Sequence, residues 1–279
     1  MTDSDAAASW RRAYQDQGFL VVPDAVDMAT ITDLRTAMER IEQQVRDDSL
    51  SPALRRWVSL ERDRTLGSRA GRTDNDGLSN VMELPLFDPL FARFIVYPRL
   101  LDVLEALFES TEFAFHNYKC ICKMPHNEAH FQWHRDLPYL FHTGPNLITA
   151  MVCLDSMTAD NGATVVFPGS HRVPPEAVTP ADTDIPPERL PDNPLTVECP
   201  AGSAVLFHVN LVHGGPPNRT DAKRRNVIGI WSGPDTYPVY PHRFTYQGLM
   251  PRSRDAARQA QVRLTFGEVA WPALHAAAT

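Results

Sequence analysis

Six short runs between residues 113 and 231 constrain the fold more than any other feature of the chain. Residues 113–122, 147–154, 164–167, 195–197, 204–207 and 226–231 are rich in β-branched and aromatic side chains and are separated by turn residues. Strands this short and this regularly punctuated predict a sandwich or a jelly-roll barrel. The preceding part reads differently. Residues 9–17 suit a short helix, and 18–23 suit a strand bounded by Gly18 and Pro23. Asp27 is placed to cap a helix in which Ile31, Leu34, Met38 and Ile41 recur at helical spacing. Residues 85–108 carry two further helical patterns, broken at Pro98. A length of 279 residues suits one domain, mainly β with flanking helices. Its expected parts are a helical stretch over about 1–110, a jelly-roll core over about 111–235 and a C-terminal extension over 236–279.

Two long connections interrupt the pattern. Residues 49–79 are polar and aperiodic, and 69–77 have loop composition, so a mobile flap is expected there. Residues 172–194 hold seven prolines (Pro174, Pro175, Pro180, Pro186, Pro187, Pro191 and Pro194), too long a segment for a hairpin turn. The expectation is a lid across the barrel mouth, because long loops in compact domains carry function.

Composition narrows the class of activity. The net charge of -7, from 27 basic and 34 acidic side chains, repels a phosphate backbone and argues against nucleic acid as a partner. The basic cluster Arg219, Lys223, Arg224 and Arg225 reads, by composition alone, as a solvated turn. The start, MTDSDAAASW, has neither a basic n-region nor an apolar h-region, and no run approaches membrane-spanning length. A cytoplasmic protein without membrane contact is expected. Cys120, Cys122, Cys153 and Cys199 lack zinc-type spacing, lie in apolar stretches and are expected to be reduced core residues.

The segment FQWHRD (131–136) carries the strongest chemical signal. Period two along a strand would bring His134 and Asp136 to one face. An imidazole beside a carboxylate supplies two ligands of a facial metal triad that leaves coordination positions open. The pair alone is weak: with Asp at roughly one residue in twenty, ten histidines give about half an HxD by chance. A surface ion pair for Asp136 and a packed core histidine at 134 are the simpler alternatives. A third ligand is available in FHVNLVHGGPPNR (207–219), where a β-type run ends at His213 beside glycines that permit close approach. His208 competes for that role but precedes further apolar residues, as a core histidine does. His126 and Glu128 share the spacing of the motif, yet follow Pro125 in a polar stretch where strand alternation is not assured.

Taken in order, these segments resemble the phytanoyl-CoA dioxygenase family of Fe(II)/2-oxoglutarate oxygenases. The matching pieces are GFLVVP (18–23) with its following helix, WHRD (133–136), ITAMVCLD (148–155) through NGA (161–163) and FPGSH (167–171), and HGGPPNRT (213–220) followed by Arg224 and Arg225. They span about residues 10 to 235, and their ordered combination is specific where each piece is not. The resemblance implies a double-stranded β-helix, the cupin-like form of the jelly roll, with Fe(II) held by His134, Asp136 and His213. It also implies 2-oxoglutarate and O2 as co-substrates. Arg224, eleven residues after the distal histidine, would grip the far carboxylate of 2-oxoglutarate, a role that suits a bidentate guanidinium. Arg225 would point the opposite way. Gln132, on the strand face of the triad, and Thr149, on a neighbouring strand, are further candidate co-substrate contacts. His171 is expected to shape a turn. Gly215 and Met151 stand where many members have serine and tryptophan, both near the expected co-substrate site.

The implied reaction oxidises a substrate C–H bond while 2-oxoglutarate is converted to succinate and CO2. Hydroxylation is the first expectation, with desaturation, epoxidation or cyclisation as variants, and Asp136 argues against halogenation. Tyr139, Leu140 and Phe141, together with Trp231 and the proline-rich lid, are expected to line the substrate site. They suit a partly apolar free metabolite, such as a natural-product intermediate, taken up by a monomer or homodimer. The lack of a dedicated basic patch argues against a CoA thioester. Two rivals differ in testable ways: a non-redox metal hydrolase would not need Arg224, and a catalytically silent binding module would tolerate loss of ligands.

Overall fold

The structure is a computed structural model that describes residues 3–63, 69–70, 76–127 and 130–266. Its strands are β1 (Phe19–Val22), β2 (Val58–Leu60), β3 (Arg69–Ala70), β4 (Leu78–Met82), β5 (Ala114–Lys123) and β6 (His130–His134). They continue with β7 (Leu147–Cys153), β8 (Val165–Val166), β9 (Leu195–Thr196), β10 (Ala204–His208), β11 (His213–Gly215) and β12 (Arg224–Ser232). The helices are α1 (Asp3–Gln17), α2 (Met28–Arg46), α3 (Pro52–Arg55), α4 (Pro89–Phe94), α5 (Pro98–Phe108), α6 (Leu137–Leu140) and α7 (Ala256–Phe266).

Seven strands form one antiparallel sheet in the order β1-β10-β7-β12-β5-β4-β2, and five form a second in the order β3-β6-β11-β8-β9. From β5 to β8 and again from β9 to β12, successive strands alternate between the sheets, as the expected jelly roll requires. The larger sheet has two unlike faces because its side chains alternate. Its outer face, with Phe115, Tyr118, Cys120, Val152, Leu206 and Trp231, packs against Ile31, Leu34, Met38 and Ile41 of α2 and against α5. Each such burial contributes about 1.5–3 kcal/mol. Asp27 caps α2 as expected, accepting from Thr30 N–H at 2.8 Å. The inner face, with Ile121, Met151, Val205, Phe207 and Ile228, meets Phe131 and Val166 of the second sheet.

In the basic cluster near residue 220, Arg219 is exposed in the turn before β12, while strand alternation sorts the two buried arginines, 224 and 225, to opposite faces. Arg225 faces outward, binding both oxygens of Asp155 at 2.9 and 3.0 Å and reaching Glu39 of α2 at 3.3 Å. Lys223 meets Glu42 of the same helix at 2.6 Å. Arg224 points inward. The four cysteines are free and buried, as expected.

Candidate active site

His134 ends β6 and His213 begins β11, and the two residues are paired directly across the sheet. Each imidazole is fixed by its own strand: His134 Nδ1 lies 2.8 Å from the Gln132 carbonyl and His213 Nδ1 lies 3.0 Å from that of Leu211. An Nδ1–H donated to a carbonyl leaves the Nε2 lone pair pointing the other way. Both Nε2 atoms converge on Asp136 Oδ1, at 3.6 and 3.8 Å. Asp136 is anchored through its own N–H to Val209 C=O at 2.8 Å and through Oδ2, which accepts from the Thr149 hydroxyl at 2.7 Å. All three residues are buried, and their donor atoms lie within 4.8 Å of one another. Burial pushes the Asp136 carboxyl up, but His213, His134 and Lys119 outweigh it and hold the group well below the usual carboxylate range. Burial, and then His134, lowers His213 to about 4, so its imidazole is neutral near pH 7. Two imidazoles and one carboxylate oxygen, each oriented by a second hydrogen bond, fit a ferrous ion held on one face.

Arg224 lies in the same cavity as the triad and is only 3% exposed. Its Nη2 donates to Gly162 C=O at 2.6 Å, and its Nη1 donates to the Asn226 side-chain oxygen at 2.7 Å in the amide orientation that satisfies both neighbours. Lys123, opposite Arg224 in the sheet, donates to Gly162 C=O at 2.7 Å and to Pro216 C=O. Two cations thus stand together at the buried end of the cavity. A Cβ on Gly215 would lie 3.2 Å from Lys123 Nζ, so the ammonium already occupies the ground that a serine at 215 would approach. Met151 also lines the cavity, with its sulfur 3.7 Å from the Thr164 hydroxyl.

The family model described as Phytanoyl-CoA dioxygenase (PhyH) matches residues 14–226. The chain belongs to this family. Among its relatives is a protein named as a probable alpha-ketoglutarate-dependent hypophosphite dioxygenase of Stutzerimonas stutzeri, 27% identical over 181 residues, which cover 60% of this chain and 62% of the relative. The L-proline trans-4-hydroxylase of Streptomyces griseoviridis is 26% identical, over 82% of this chain and 88% of its own. The alpha ketoglutarate dependent carbocyclase SnoK from nogalamycin biosynthesis shares the fold, with a TM-score of 0.67 at 19% identity over 87% of this chain and 90% of that one. This family member is an oxidoreductase of the Fe(II)- and 2-oxoglutarate-dependent dioxygenase class.

Alternation fails at bulges in β6, β5 and β4, and each re-aims side chains at the site; in β4, Ser59 pairs with Asn80 but Leu60 pairs with Leu78, so that Ser79 and Asn80 both line the cavity. In β6, His213 pairs with His134 but Gly215 pairs with Phe131, so the bulged strand carries an extra residue. Phe131 therefore lines the cavity beside His134, while Trp133 packs outward on Phe167 and Val212. Gln132 does not share the face of the triad as expected; its amide donates to Asp184 at 2.9 Å, outside the cavity. The bulge also explains Gly214, where a Cβ would sit 2.7 Å from the Trp133 ring and 2.9 Å from the Phe131 carbonyl oxygen. The second bulge lies in β5, where Ile230 pairs with Asn117 but Trp231 pairs with Phe115. Consecutive residues His116 and Asn117 both line the cavity as a result.

The cavity measures about 460 Å³, a size that holds small ligands. Tyr139 and Leu140 line it as expected, but two other expected residues do not. Phe141 is 49% exposed and meets Tyr240, and Trp231 is buried in the outer core against Phe113 and Phe115. Thr149 lines the wall, with its hydroxyl directed at Asp136, which makes it a support of the metal ligand.

The proline-rich segment contributes no lining residue and does not cross the mouth. Its prolines open 3-10 turns, Pro175–Ala177, Pro180–Thr183 and Pro187–Arg189, and Ile185 and Leu190 of the segment pack with the outward-turned Trp133. Ile185 N–H donates to Trp133 C=O at 2.7 Å, and Arg135 N–H donates to Asp182 C=O at 2.9 Å. Of the expected flap, the described part supplies β2, β4 and the lining residues Arg56, Trp57, Ser59 and Asp63, while residues 64–68 and 71–75 lie outside the described residues. Among the competing ligands, His126 pairs with Asp221 at 2.6 Å and Glu128 lies outside the described residues. His208 meets His171 and Tyr14 away from the triad, and burial lowers it to about 4. His171 lies in a 3-10 turn, as expected, with Nε2 3.1 Å from Gln15 C=O.

Sequence reasoning missed the mouth. Arg243 and Phe244 come from the C-terminal extension, beyond the residues matched by the family model. That segment is pinned by Phe115 N–H on Leu249 C=O at 2.8 Å, by Thr245 N–H on Glu83 Oε2 at 2.7 Å and by Gln247 on His116 Nδ1 at 3.2 Å. Burial lowers His116 to about 3, aided by His142, Arg243 and Lys119, so it is neutral and accepts from Gln247. Arg56, Lys119, Lys123, Arg224 and Arg243 line the cavity against Asp63 and Asp136. A basic patch therefore exists in space although no run of sequence announces it, and its lack no longer argues against an anionic substrate. No helix among the described residues is long and apolar enough to cross a membrane.

Proposed function

We propose that this oxygenase oxidises, first by hydroxylation, an unactivated C–H bond of a small, partly apolar metabolite in a biosynthetic route. Bound Fe(II) and 2-oxoglutarate supply the oxidising chemistry: O2 is divided between succinate, formed with CO2, and the substrate, whose C–H becomes C–OH. The observation that carries the reading is the convergence of His134 Nε2, His213 Nε2 and Asp136 Oδ1 with every second atom of the three groups engaged elsewhere.

In this reading, His134, Asp136 and His213 hold the iron, and Thr149 keeps Asp136 Oδ1 turned inward. Arg224 binds the far carboxylate of 2-oxoglutarate, with Lys123 supplying a second positive charge where many relatives use serine. A hydrolytic metal site would have no use for these two buried cations. Leu140, Ile228 and Ile230 exclude water and present apolar surface to the carbon that reacts; its placement decides between hydroxylation and desaturation, epoxidation or cyclisation. The whole chain acts as one oxygenase unit, with residues 236–266 completing the pocket wall. A cytoplasmic monomer or homodimer that does not bind nucleic acid fits the acidic balance of the chain.

The test is 2-oxoglutarate turnover in air with Fe(II). Succinate formation that requires both Fe(II) and 2-oxoglutarate and is stimulated by a small-molecule substrate supports the reading. Zinc-dependent hydrolysis without succinate overturns it.

A further inference from the structure

The outer half of the cavity holds polar groups that the chemistry at its buried end does not use. Lys119, four residues before Lys123 on the inner side of β5, is half-buried and has no hydrogen-bond or ion-pair partner among the described residues. Beside it, Asn117 is 3% exposed and its Oδ1 is buried without a partner among the described residues. Trp57 Nε1 is buried and unpartnered in the same way. A buried polar group that nothing binds destabilises the fold, so the wall is shaped for a polar ligand.

At the rim, Arg56 lies over the Trp57 ring at 5.0 Å and Arg243 over Phe244 at 5.2 Å, and the two rings are 6.4 Å apart. Neither guanidinium has a carboxylate partner among the described residues. Stacking holds both in place over the opening and leaves their N–H edges for a ligand. Charge points the same way. Among the described residues, five cations and two carboxylates line the cavity; the two charges of Fe(II) and the two of 2-oxoglutarate cancel, so these residues leave an excess of three positive charges in the loaded enzyme.

We propose that this mouth binds the carboxylate of the primary substrate, which is therefore a small organic acid with an apolar body. Lys119 and the guanidinium groups of Arg56 and Arg243 take the carboxylate, Trp57 and Asn117 its neighbouring polar atoms, and the hydrocarbon part extends between Leu140, Ile228 and Ile230 toward the triad. The inference rests on the oxygenase reading, because the charge balance assumes a bound iron and 2-oxoglutarate.

The experiment uses the full chain loaded with Fe(II) and 2-oxoglutarate without O2. A set of monocarboxylic acids, from butanoic to cinnamic, is titrated by calorimetry, each alongside its methyl ester. The expected result is that at least one acid binds about tenfold or more tighter than its ester, and that R56Q, R243Q and K119M each reduce this preference about tenfold while ester affinity stays constant. Far-ultraviolet circular dichroism checks that each variant is folded, and three variants on separate elements guard against the loss of one. Failure of every acid to bind, esters binding as tightly as acids, or a preference unchanged in all folded variants overturns the proposal. The iron and 2-oxoglutarate reading is judged separately, by whether the wild-type protein takes up both before any acid is added.

Discussion

The two ends of the cavity use the same kind of side chain in opposite ways. At the buried end, Arg224 and Lys123 are tied to the carbonyls of Gly162 and Pro216, within the residues the family model matches. At the mouth, Arg56 and Arg243 rest on aromatic rings, and Arg243 and Phe244 lie beyond the match. Cations fixed by backbone carbonyls present one geometry to one small ligand. Cations stacked on rings can be replaced with little effect on the sheet. The difference teaches where shared chemistry stops and selectivity begins: in the proposed reading, the buried end serves iron and 2-oxoglutarate, and the mouth chooses the substrate.

The sharpest way to break this division is to remove a ligand. His134→Ala or Asp136→Ala is expected to reduce substrate-dependent succinate formation about a thousandfold or more, because loss of one ligand opens the facial site. Measured succinate near the wild-type level would place iron elsewhere. Next in size, Arg224→Met is expected to raise the KM for 2-oxoglutarate about a hundredfold, as removal of one partner of a buried charge pair does. The KM for the primary substrate, measured at saturating 2-oxoglutarate, should change far less. Equal effects on both would erase the boundary between the two ends.

Thr149→Val removes the hydroxyl that fixes Asp136 Oδ2. Loss of such a support weakens metal binding about tenfold, seen as a higher Fe(II) requirement, with activity restored by excess iron and the KM for 2-oxoglutarate unchanged. A raised KM for 2-oxoglutarate instead would make Thr149 a direct contact, as its sequence position suggested.

The smallest expected effect concerns how the mouth is held. Burial raises Glu83, whose Oε2 accepts from Thr245 N–H while Oε1 has no partner among the described residues. A carboxyl raised in the fold binds its proton more tightly there than in the unfolded chain. Its ionisation therefore costs stability as pH rises through the window between the ordinary carboxylate value and the raised one. Glu83→Gln keeps an acceptor for Thr245 and removes that cost. Its Tm should exceed the wild type by about 2 °C at pH 8, with the gain shrinking toward pH 4. A gain that grows as pH falls would contradict the sign.

Much of the fold was legible because burial on the outer face follows strand and helix periods without interruption. Ile31, Leu34, Met38 and Ile41 announced α2, and the six β-type runs fell on real strands. The triad and Arg224 were legible through motif order, and the structure gathers them in one cavity. What could not be read was what breaks the period. The bulge in β6 turned Gln132 outward and Phe131 inward, and the bulge in β5 placed His116 beside Asn117. Gly214 was the only local signal of the first, since a glycine facing a bulge admits the extra backbone. Trp231 followed alternation faithfully into the outer core, and the error lay in assigning a large aromatic near the motif to the substrate wall. Arg243 and Phe244 carried no sequence signal, because long-range hydrogen bonds of residues 245–249 to Glu83, Phe115 and His116 bring them to the mouth.

The central claim is that His134, Asp136 and His213 hold ferrous iron in a site that also takes 2-oxoglutarate. The most direct test adds Fe(II) and then 2-oxoglutarate to the metal-free protein under anaerobic conditions and records the visible spectrum. The account predicts a metal-to-ligand charge-transfer band that needs both additions and is lost in His213→Ala. A wild-type protein that shows no such band, or a His213→Ala variant that keeps it at full strength, would contradict the account.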